Sequence, residues 1–239
     1  MTVSNASSDA LVFDAPGIVT IAVAGTDARY PVNRIYCVGS NYREHAREMG
    51  SSLREPPCFF SKPRDAVNRG AEVRYPPMTA NLHHEVELVI ALAAGGVNLS
   101  PGSALQAVFG YAVGVDLTRR DLQNQAKKQG RPWTTAKGFD YSAPVSAIRR
   151  VSDCGHPSRS SITLSVNGEQ RQSANIDDMT WSVPEIIAEL SRFFELKPGD
   201  LIFTGTPSGV GALQPGDQVH AAIEAVGALS FGIGGSQQL

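Results

Sequence analysis

The sequence predicts an α+β fold that is richer in strand than in helix, formed as one domain over residues 1–239. Short runs of β-branched and apolar residues recur along the chain and are separated by Pro- and Gly-containing turns, which is typical of strands. Few segments show the apolar period of a helix, and no linker or low-complexity stretch divides the chain. Hydrophobic residues make up 42% of the chain, so a sizeable core can form without disulfides.

The predicted elements follow from local patterns. Residues 1–34 form an N-terminal segment of short strands and turns around Gly25, because β-branched residues alternate there. Further strands are predicted at 34–38, 58–62, 84–93, 111–115, 161–166, 170–173 and 201–204. Helices are predicted at 42–49, 101–108 and 118–129, and residues 133–136 look strand-like.

Two local motifs add detail to this pattern. Asn167-Gly168 favours positive φ angles and predicts a two-residue hairpin turn. Ser182-Val-Pro-Glu185 matches a capping box and predicts the start of another helix. The apolar face of that helix is predicted to comprise Ile186, Ile187, Leu190, Phe193 and Phe194.

The composition excludes several classes of function. The net charge of −2 argues against nucleic-acid or anionic-membrane binding, since both require a broad basic surface. No apolar run approaches the roughly 20 residues of a membrane helix, and the N-terminus lacks a signal-peptide pattern. Cys37, Cys58 and Cys154 are odd in number and form no CxxC pair, which predicts a reduced, cytoplasmic protein in which all three are packing residues.

Two glutamates precede the apolar run of a predicted strand. Glu85 and Glu87 are two residues apart, so their side chains point to the same face. Two carboxylates at the mouth of a buried strand repel each other and are costly to desolvate, and a bound cation removes both costs. The alternative is a solvated sheet face beside lysines, and this segment alone slightly favours it. His83 and His84 face opposite sides and are interpreted as structural or supporting residues.

A third acid, Asp116, ends the next apolar strand. Three carboxylates without cysteine ligands suit a hard ion such as Mg²⁺ or Mn²⁺. Asp116 has its own alternative as the N-cap of the helix that is predicted to begin near Thr118.

Several motifs in fixed order resemble the fumarylacetoacetate hydrolase family, over roughly residues 30–232. They are Tyr36-Cys-Val-Gly-Ser-Asn-Tyr-Arg-Glu-His-Ala-Arg-Glu-Met49, His83-His-Glu-Val-Glu87, Gly114-Val-Asp-Leu-Thr118, Lys137-Gly-Phe-Asp140 and Phe203-Thr-Gly-Thr-Pro-Ser-Gly-Val-Gly211. Segments 54–60, 117–123 and 180–185 look most similar to the branch that hydrolyses fumarylpyruvate and other acylpyruvates. Many relatives carry Arg where this chain has Ser40, which affects the expected substrate more than the expected family.

The resemblance implies a mixed β-sandwich or roll with peripheral helices, assembled as a homodimer. It also implies one Mg²⁺ or Mn²⁺ per subunit, held by Glu85, Glu87 and Asp116. The expected reaction is hydrolysis of a carbon–carbon bond in an acylpyruvate, above all fumarylpyruvate to fumarate and pyruvate in gentisate-type aromatic breakdown.

The resemblance further implies a water-activating pair. His45 and Glu48 lie three residues apart on the predicted helix 42–49, where His45 would take the proton and Glu48 would orient it. Residues 42–56 would form a lid over the substrate. Lys137 would stabilise developing negative charge. The alternatives are a polar surface pair and an ordinary surface lysine.

Arg120, Gln123 and Thr206 are the predicted substrate contacts, the first two by resemblance. Thr206 follows a strand end in a Gly-rich turn whose N–H groups suit a carboxylate. Six basic residues and one acid lie between positions 117 and 137, which suits a small dianionic diketo acid or, alternatively, a solvated helix face.

Rival functions remain open at this point. Oxaloacetate decarboxylation, or a related isomerisation or decarboxylation of a diketo acid, would use the same metal site without an attacking water. A non-catalytic metal- or metabolite-binding protein is the alternative from another class.

Overall fold

Two mixed β-sheets stack face to face and carry the helices at their periphery. The computed structural model describes residues 11–42 and 56–236, so the predicted helix 42–49 and the predicted lid fall almost wholly outside the described residues. One sheet has six strands and the other five, and three smaller sheets adjoin them. The prediction of a strand-rich α+β fold with a mixed sandwich is confirmed.

The strands are β1 (Thr20–Ala22), β2 (Arg29–Pro31), β3 (Ile35–Gly39), β4 (Cys58–Lys62), β5 (Val67–Asn68), β6 (Glu72–Tyr75), β7 (Leu82–His84), β8 (Val86–Leu92), β9 (Val108–Val115), β10 (Thr118–Arg119), β11 (Ala143–Pro144), β12 (Arg149–Arg150), β13 (Ser161–Val166), β14 (Glu169–Asn175), β15 (Leu201–Phe203), β16 (Gly211–Leu213), β17 (Gln218–Ile223) and β18 (Gly227–Ser236). The α-helices are α1 (Pro101–Ala104), α2 (Arg120–Gln129), α3 (Thr134–Lys137), α4 (Val151–Cys154) and α5 (Val183–Phe193). Three 3₁₀ turns lie at Arg64–Ala66, Leu105–Ala107 and Ile176–Asp178.

The strand order is β12-β9-β8-β15-β3-β4 in the six-stranded sheet and β14-β13-β17-β18-β6 in the five-stranded sheet. The pairs β15–β3 and β18–β6 are parallel, while the other neighbours in these sheets are antiparallel. At the centre of the larger sheet, β8 and β9 run antiparallel over their whole length. The start of β8 therefore lies beside the end of β9.

Strand β8 separates two hydrophobic cores. Its residues Leu88 and Ile90 join the main core, which also contains side chains of the five-stranded sheet. The alternate residues Val89 and Ala91 join a second core on the opposite face. Because alternate residues share a face, Glu87 belongs to the second face, away from the stacked sheet.

The predicted strand 84–93 is wrong in one respect, because it is two strands with Glu85 between them. Strand β7 belongs to a three-stranded sheet with β10 and β16, whereas β8 belongs to the six-stranded sheet. The Val86 N–H donates a hydrogen bond to the side-chain oxygen of Gln172 at 3.1 Å and not to the backbone of a neighbouring strand. The chain thus changes sheets at Glu85.

The helix predicted at 118–129 begins at Arg120, because the preceding residues form β10 opposite β7. The strand-like interpretation of residues 133–136 is wrong. This segment enters α3, and the Lys137 N–H donates to the Trp133 carbonyl at 2.9 Å. The helix predicted at 101–108 is α1 followed by a 3₁₀ turn, and β9 starts at Val108.

Both local motifs are confirmed. Asn167 and Gly168 adopt φ of 53° and 81° between β13 and β14, as a hairpin turn with two positive φ angles requires. Glu185 accepts a hydrogen bond from the Ser182 N–H at 2.8 Å and closes the capping box of α5. This helix packs on the main core.

Three residues that were predicted to pack in the core are exposed, namely Phe193, Phe194 and Cys58. Phe193 and Phe194 are 68% and 40% exposed, so they are not part of a buried helix face; α5 ends at Phe193 and Phe194 is extended. Cys58 is exposed, so its predicted packing role is also wrong, whereas Cys37 is buried and Cys154 is partly buried. No helix within the described ranges is long and apolar enough to cross a bilayer.

Candidate active site

Three carboxylates meet on one face of the six-stranded sheet, where β8 starts and β9 ends. Glu87 lies in β8, Asp116 follows β9, and Glu85 lies at the change of sheets; the Asp116 N–H donates to the Glu85 carbonyl at 2.8 Å. One oxygen from each carboxylate lies within 4.8 Å of the others. Their residues are 4%, 2% and 0% exposed for Glu85, Glu87 and Asp116, so the solvated-face alternative is wrong. The three residues are called the acidic triad below.

Two buried lysines neutralise part of the triad. The Lys137 ammonium donates to Asp116 at 2.6 Å, to Glu85 at 2.7 Å and to the Thr118 hydroxyl at 2.7 Å. The Lys62 ammonium lies 2.7 Å from the other Asp116 oxygen. Lys137 is 2% exposed, so it is not an ordinary surface lysine. Asp116 is not a helix N-cap either, since α2 starts after Arg119 without a side-chain cap.

Helix α2 adds a guanidinium to the site. Arg120 pairs with Glu85 and donates to the side-chain oxygen of Gln123, and both α2 residues are buried. The Arg120 Nε lies 3.4 Å from His83 Nδ1. Burial and the positive charge of Arg120 lower the pKa of His83 to about 4, so this ring is neutral near pH 7.

Glu87 is the triad member with the least positive surroundings. Its carboxylate accepts the Gly205 N–H at 2.7 Å. Burial, then the charges of Asp116 and Glu85, raise the pKa of Glu87 well above its ordinary value. Burial lowers the pKa of Lys137, but Asp116 and Glu85 raise it more, so Lys137 stays charged.

The donor set of the triad fits a hard divalent cation. All three side chains offer carboxylate oxygens, and hard cations such as Mg²⁺ and Mn²⁺ prefer oxygen ligands. A divalent ion would also offset the mutual repulsion that raises the pKa of Glu87. Which residues bind the ion stays a prediction.

Thr206 lies on the same cleft as the triad and is fixed by a residue that the sequence did not reveal. The fully buried Gln172 donates to the Thr206 hydroxyl at 2.8 Å and to the Pro207 carbonyl at 2.9 Å. Its carbonyl oxygen accepts the Val86 N–H and lies 3.0 Å from His84 Nδ1. Gln172 thereby connects β14, in the stacked sheet, to the two residues that flank Glu85 and to the turn after β15.

Lys62 is the second residue that the sequence did not reveal. It ends β4, and its ammonium also contacts the Lys137 carbonyl and, at 3.0 Å, the Ser142 hydroxyl. The available signal was alternation, because Phe60 shares a strand face with Lys62 and lines the cleft. For Gln172 the regular hairpin register gave no signal, because a β-bulge between Leu164 and Ser165 sets Gln172, instead of Arg171, opposite the buried Leu164.

The turn after β15 approaches the end of β3 closely. Gly205 has φ of +95°, and a Cβ there would lie 2.7 Å from the Asn41 Cβ. The Asn41 amide donates to the Thr204 carbonyl at 2.8 Å and to the Trp181 carbonyl at 3.0 Å. Ser40, with φ of 56°, is on the cleft wall. His45 and Glu48 lie outside the described residues.

Comparisons with known proteins agree with this architecture. The family model described as fumarylacetoacetate hydrolase, C-terminal, matches residues 34–233. An oxaloacetate tautomerase of Escherichia coli (strain K12) is 43% identical over 197 residues, which cover 82% of this chain and 90% of that protein. A fumarylpyruvate hydrolase of Ralstonia sp is 42% identical over 188 residues, which cover 79% of this chain and 97% of that protein.

A solved structure is similar over almost the whole chain. The crystal structure of fumarylpyruvate hydrolase from Pseudomonas aeruginosa in complex with Mn²⁺ and pyruvate has a TM-score of 0.92 and 48% sequence identity. The match covers 94% of this chain and 99% of that chain.

Proposed function

Because the chain belongs to the fumarylacetoacetate hydrolase family, we propose that it is a metal-dependent hydrolase that cleaves fumarylpyruvate into fumarate and pyruvate. The observation that carries the proposal is the buried acidic triad, which opens into a cleft lined by Arg120, Gln123, Lys137 and Thr206. Pyruvate, the ligand of the Pseudomonas aeruginosa enzyme, is a product of the proposed reaction.

In this proposal Glu85, Glu87 and Asp116 hold one Mg²⁺ or Mn²⁺ per chain. When bound, the ion supplies a Lewis acid that polarises the keto-acid oxygens and stabilises enolate charge. Three carboxylates already face three cationic side chains, Lys62, Lys137 and Arg120. The loaded site would then carry an excess of about two positive charges, which suits a dianionic substrate.

The residues of the chain have distinct roles in the proposal. Lys137 holds a fixed positive charge beside the triad, where the enolate oxygen would develop negative charge. Gln123 on α2 offers its amide to the substrate. The Thr206 hydroxyl oxygen accepts from Gln172, so its own proton is left to donate to a substrate carboxylate.

The proposed bond cleavage consumes one water. His45 takes a proton from the water, and the water oxygen adds to the carbonyl carbon of the acyl group. Glu48 orients the imidazole of His45. The bond between that carbon and the neighbouring methylene carbon then breaks, and its electron pair passes to the pyruvate enolate. Protonation of the enolate carbon by the imidazolium gives pyruvate, and the acyl fragment leaves as fumarate.

A second candidate is enolate chemistry on oxaloacetate, because the Escherichia coli relative at 43% identity is an oxaloacetate tautomerase. Tautomerisation moves a proton between carbon and oxygen without consuming water, and decarboxylation also needs no attacking water. The substitution His45→Ala separates hydrolysis from decarboxylation. It should abolish hydrolysis of fumarylpyruvate but leave oxaloacetate decarboxylation, which needs no attacking water, largely intact.

The main test follows the ultraviolet absorbance of fumarylpyruvate, with acetylpyruvate and oxaloacetate in parallel, each with Mn²⁺ and with a chelator. Fast, chelator-sensitive loss of fumarylpyruvate, with equal amounts of fumarate and pyruvate formed, supports the proposal. Turnover of oxaloacetate without cleavage of fumarylpyruvate would replace it with the second candidate. The absence of any metal-dependent turnover would favour a binding protein.

The proposal also includes a homodimer in the cytoplasm that acts in aromatic catabolism. Closed symmetric dimers are the commonest assembly of soluble proteins. Light scattering of the eluting protein gives its mass, and a value near 25.4 kDa would identify a monomer.

A further inference from the structure

Lys127 is a cation on the cleft wall, and no acid within residues 11–42 and 56–236 forms an ion pair with it. It lies on α2, seven residues after Arg120 and four after Gln123, so the three side chains share one helix face. Arg120 and Lys137 pair with the triad, whereas none of the ion pairs found in the described ranges involves Lys127. A positive charge is thus available toward the outer end of this face.

Two aromatic rings lie between the ammonium groups of Lys127 and Lys137. The Lys127 ammonium lies 5.4 Å from the centroid of the Trp133 ring, and the Trp133 and Phe60 centroids are 5.8 Å apart. The Phe60 centroid is 5.1 Å from the Lys137 ammonium. Phe60 and Trp133 line the same cleft as the acidic triad and form what is called the aromatic wall below. Cation–π attraction holds both ammonium groups against this wall.

The spacing along α2 sets how far the Lys127 backbone lies from the Arg120 backbone. Arg120 contacts Glu85 and so marks the inner end. Seven residues at a rise of 1.5 Å place Lys127 about 10 Å further along the helix axis. A seven-carbon dicarboxylate is comparable to this backbone separation in length, whereas acetylpyruvate and oxaloacetate are shorter.

We infer that Lys127 and the aromatic wall select acylpyruvates whose flat, unsaturated acyl group ends in a second carboxylate. The inference rests on the proposed function, which it makes more specific. The diketo end of the substrate lies at the triad, the conjugated chain lies against Phe60 and Trp133, and the terminal carboxylate meets the Lys127 ammonium. An apolar rim would not distinguish an acyl group with a carboxylate from one without it.

The binding test compares two keto acids of equal length that cannot be cleaved, because both lack the second keto group. Calorimetry on the Mn²⁺-loaded protein measures the Kd of 2-oxoheptanedioate and of 2-oxoheptanoate, which lacks the terminal carboxylate. The wild-type chain should prefer the diacid by up to about fivefold, because Lys127 is exposed and water weakens an ion pair there. Lys127→Gln should remove the preference, while Lys127→Arg should keep most of it.

Lys128→Gln is the matched control, because it makes the same charge change on the neighbouring, exposed residue of α2. It should leave the preference for the diacid unchanged. An equal loss in Lys128→Gln and Lys127→Gln would assign the effect to net charge and overturn the inference. So would a Lys127→Gln variant that still prefers the diacid.

Kinetics separate this inference from the proposed function. Lys127→Gln should lower kcat/KM for fumarylpyruvate by a similar factor, mainly through KM, and should lower kcat/KM for acetylpyruvate clearly less, because acetylpyruvate has no terminal carboxylate. Wild-type hydrolysis with an unaltered substrate preference in the variant would refute the role of Lys127 alone. A wild-type chain that binds the diacid through Lys127 yet cleaves no acylpyruvate would refute the proposed function alone.

Discussion

Gln172 connects the two stacked sheets at the active site, and its removal should be costly. Gln172→Leu keeps most of the side-chain volume but removes four hydrogen-bond contacts, to His84, Val86, Thr206 and Pro207. The Val86 N–H and the Pro207 carbonyl would lose these partners in a place closed to water. An unsatisfied buried group costs roughly 1–3 kcal/mol, and neighbouring losses are not additive, so the free energy of unfolding should fall by about 4 kcal/mol.

Urea denaturation measures this change. With a slope of roughly 2–3 kcal/mol/M, the unfolding midpoint should fall by about 1.5 M. Activity should also fall in the folded variant, because Thr206 loses the donor that orients its hydroxyl. Gln170→Leu is the control, since this residue is exposed on the same strand. If the midpoints of the two variants agreed, the argument that Gln172 is a buried, fully used connector would be refuted.

Two further substitutions probe the surroundings of the triad. Lys62→Met removes a buried counter-charge of Asp116, so the metal-free protein should lose about 3 kcal/mol of unfolding free energy. Mn²⁺ should restore part of this loss. Unchanged denaturation curves would show that the pair of Lys62 and Asp116 contributes nothing to stability. Gly205→Ala places a Cβ 2.7 Å from the Asn41 Cβ and should displace the N–H that binds Glu87, so calorimetry should show weaker Mn²⁺ binding. Gly216→Ala has nearly the same φ of +96° but open space around it and should bind Mn²⁺ normally; equal affinities in both variants would contradict the prediction.

The sequence predicted the site best where local rules act. Strand alternation predicted that Glu85 and Glu87 lie together, which holds although Glu85 lies before β8 at the change of sheets. The end of a second apolar strand singled out Asp116. The structure places one oxygen of each within 4.8 Å of the others. The turn at Asn167-Gly168 and the capping box at Ser182 are similarly local, and both are confirmed.

The residues that the sequence did not reveal depend on distant packing. Gln172 reaches the site only because the five-stranded sheet stacks on the six-stranded one, and its own segment looks like an exposed hairpin. Lys62 is a buried lysine, an uncommon state that needs a partner from elsewhere in the chain. The β-branched Thr134 and Thr135 favour a strand before Lys137, whereas the structure forms a helical turn there.

The proposed function requires the acidic triad to bind one divalent ion. Calorimetric titration of the metal-free protein with Mn²⁺ compares the wild-type chain with Glu87→Gln, and Glu189→Gln, a partly exposed residue of α5 that pairs with Arg192, is the control. One ion should bind per wild-type chain and per Glu189→Gln chain, and binding to Glu87→Gln should be at least about hundredfold weaker, since a charged oxygen ligand is lost. Unchanged stoichiometry and affinity in Glu87→Gln would show that the ion binds elsewhere.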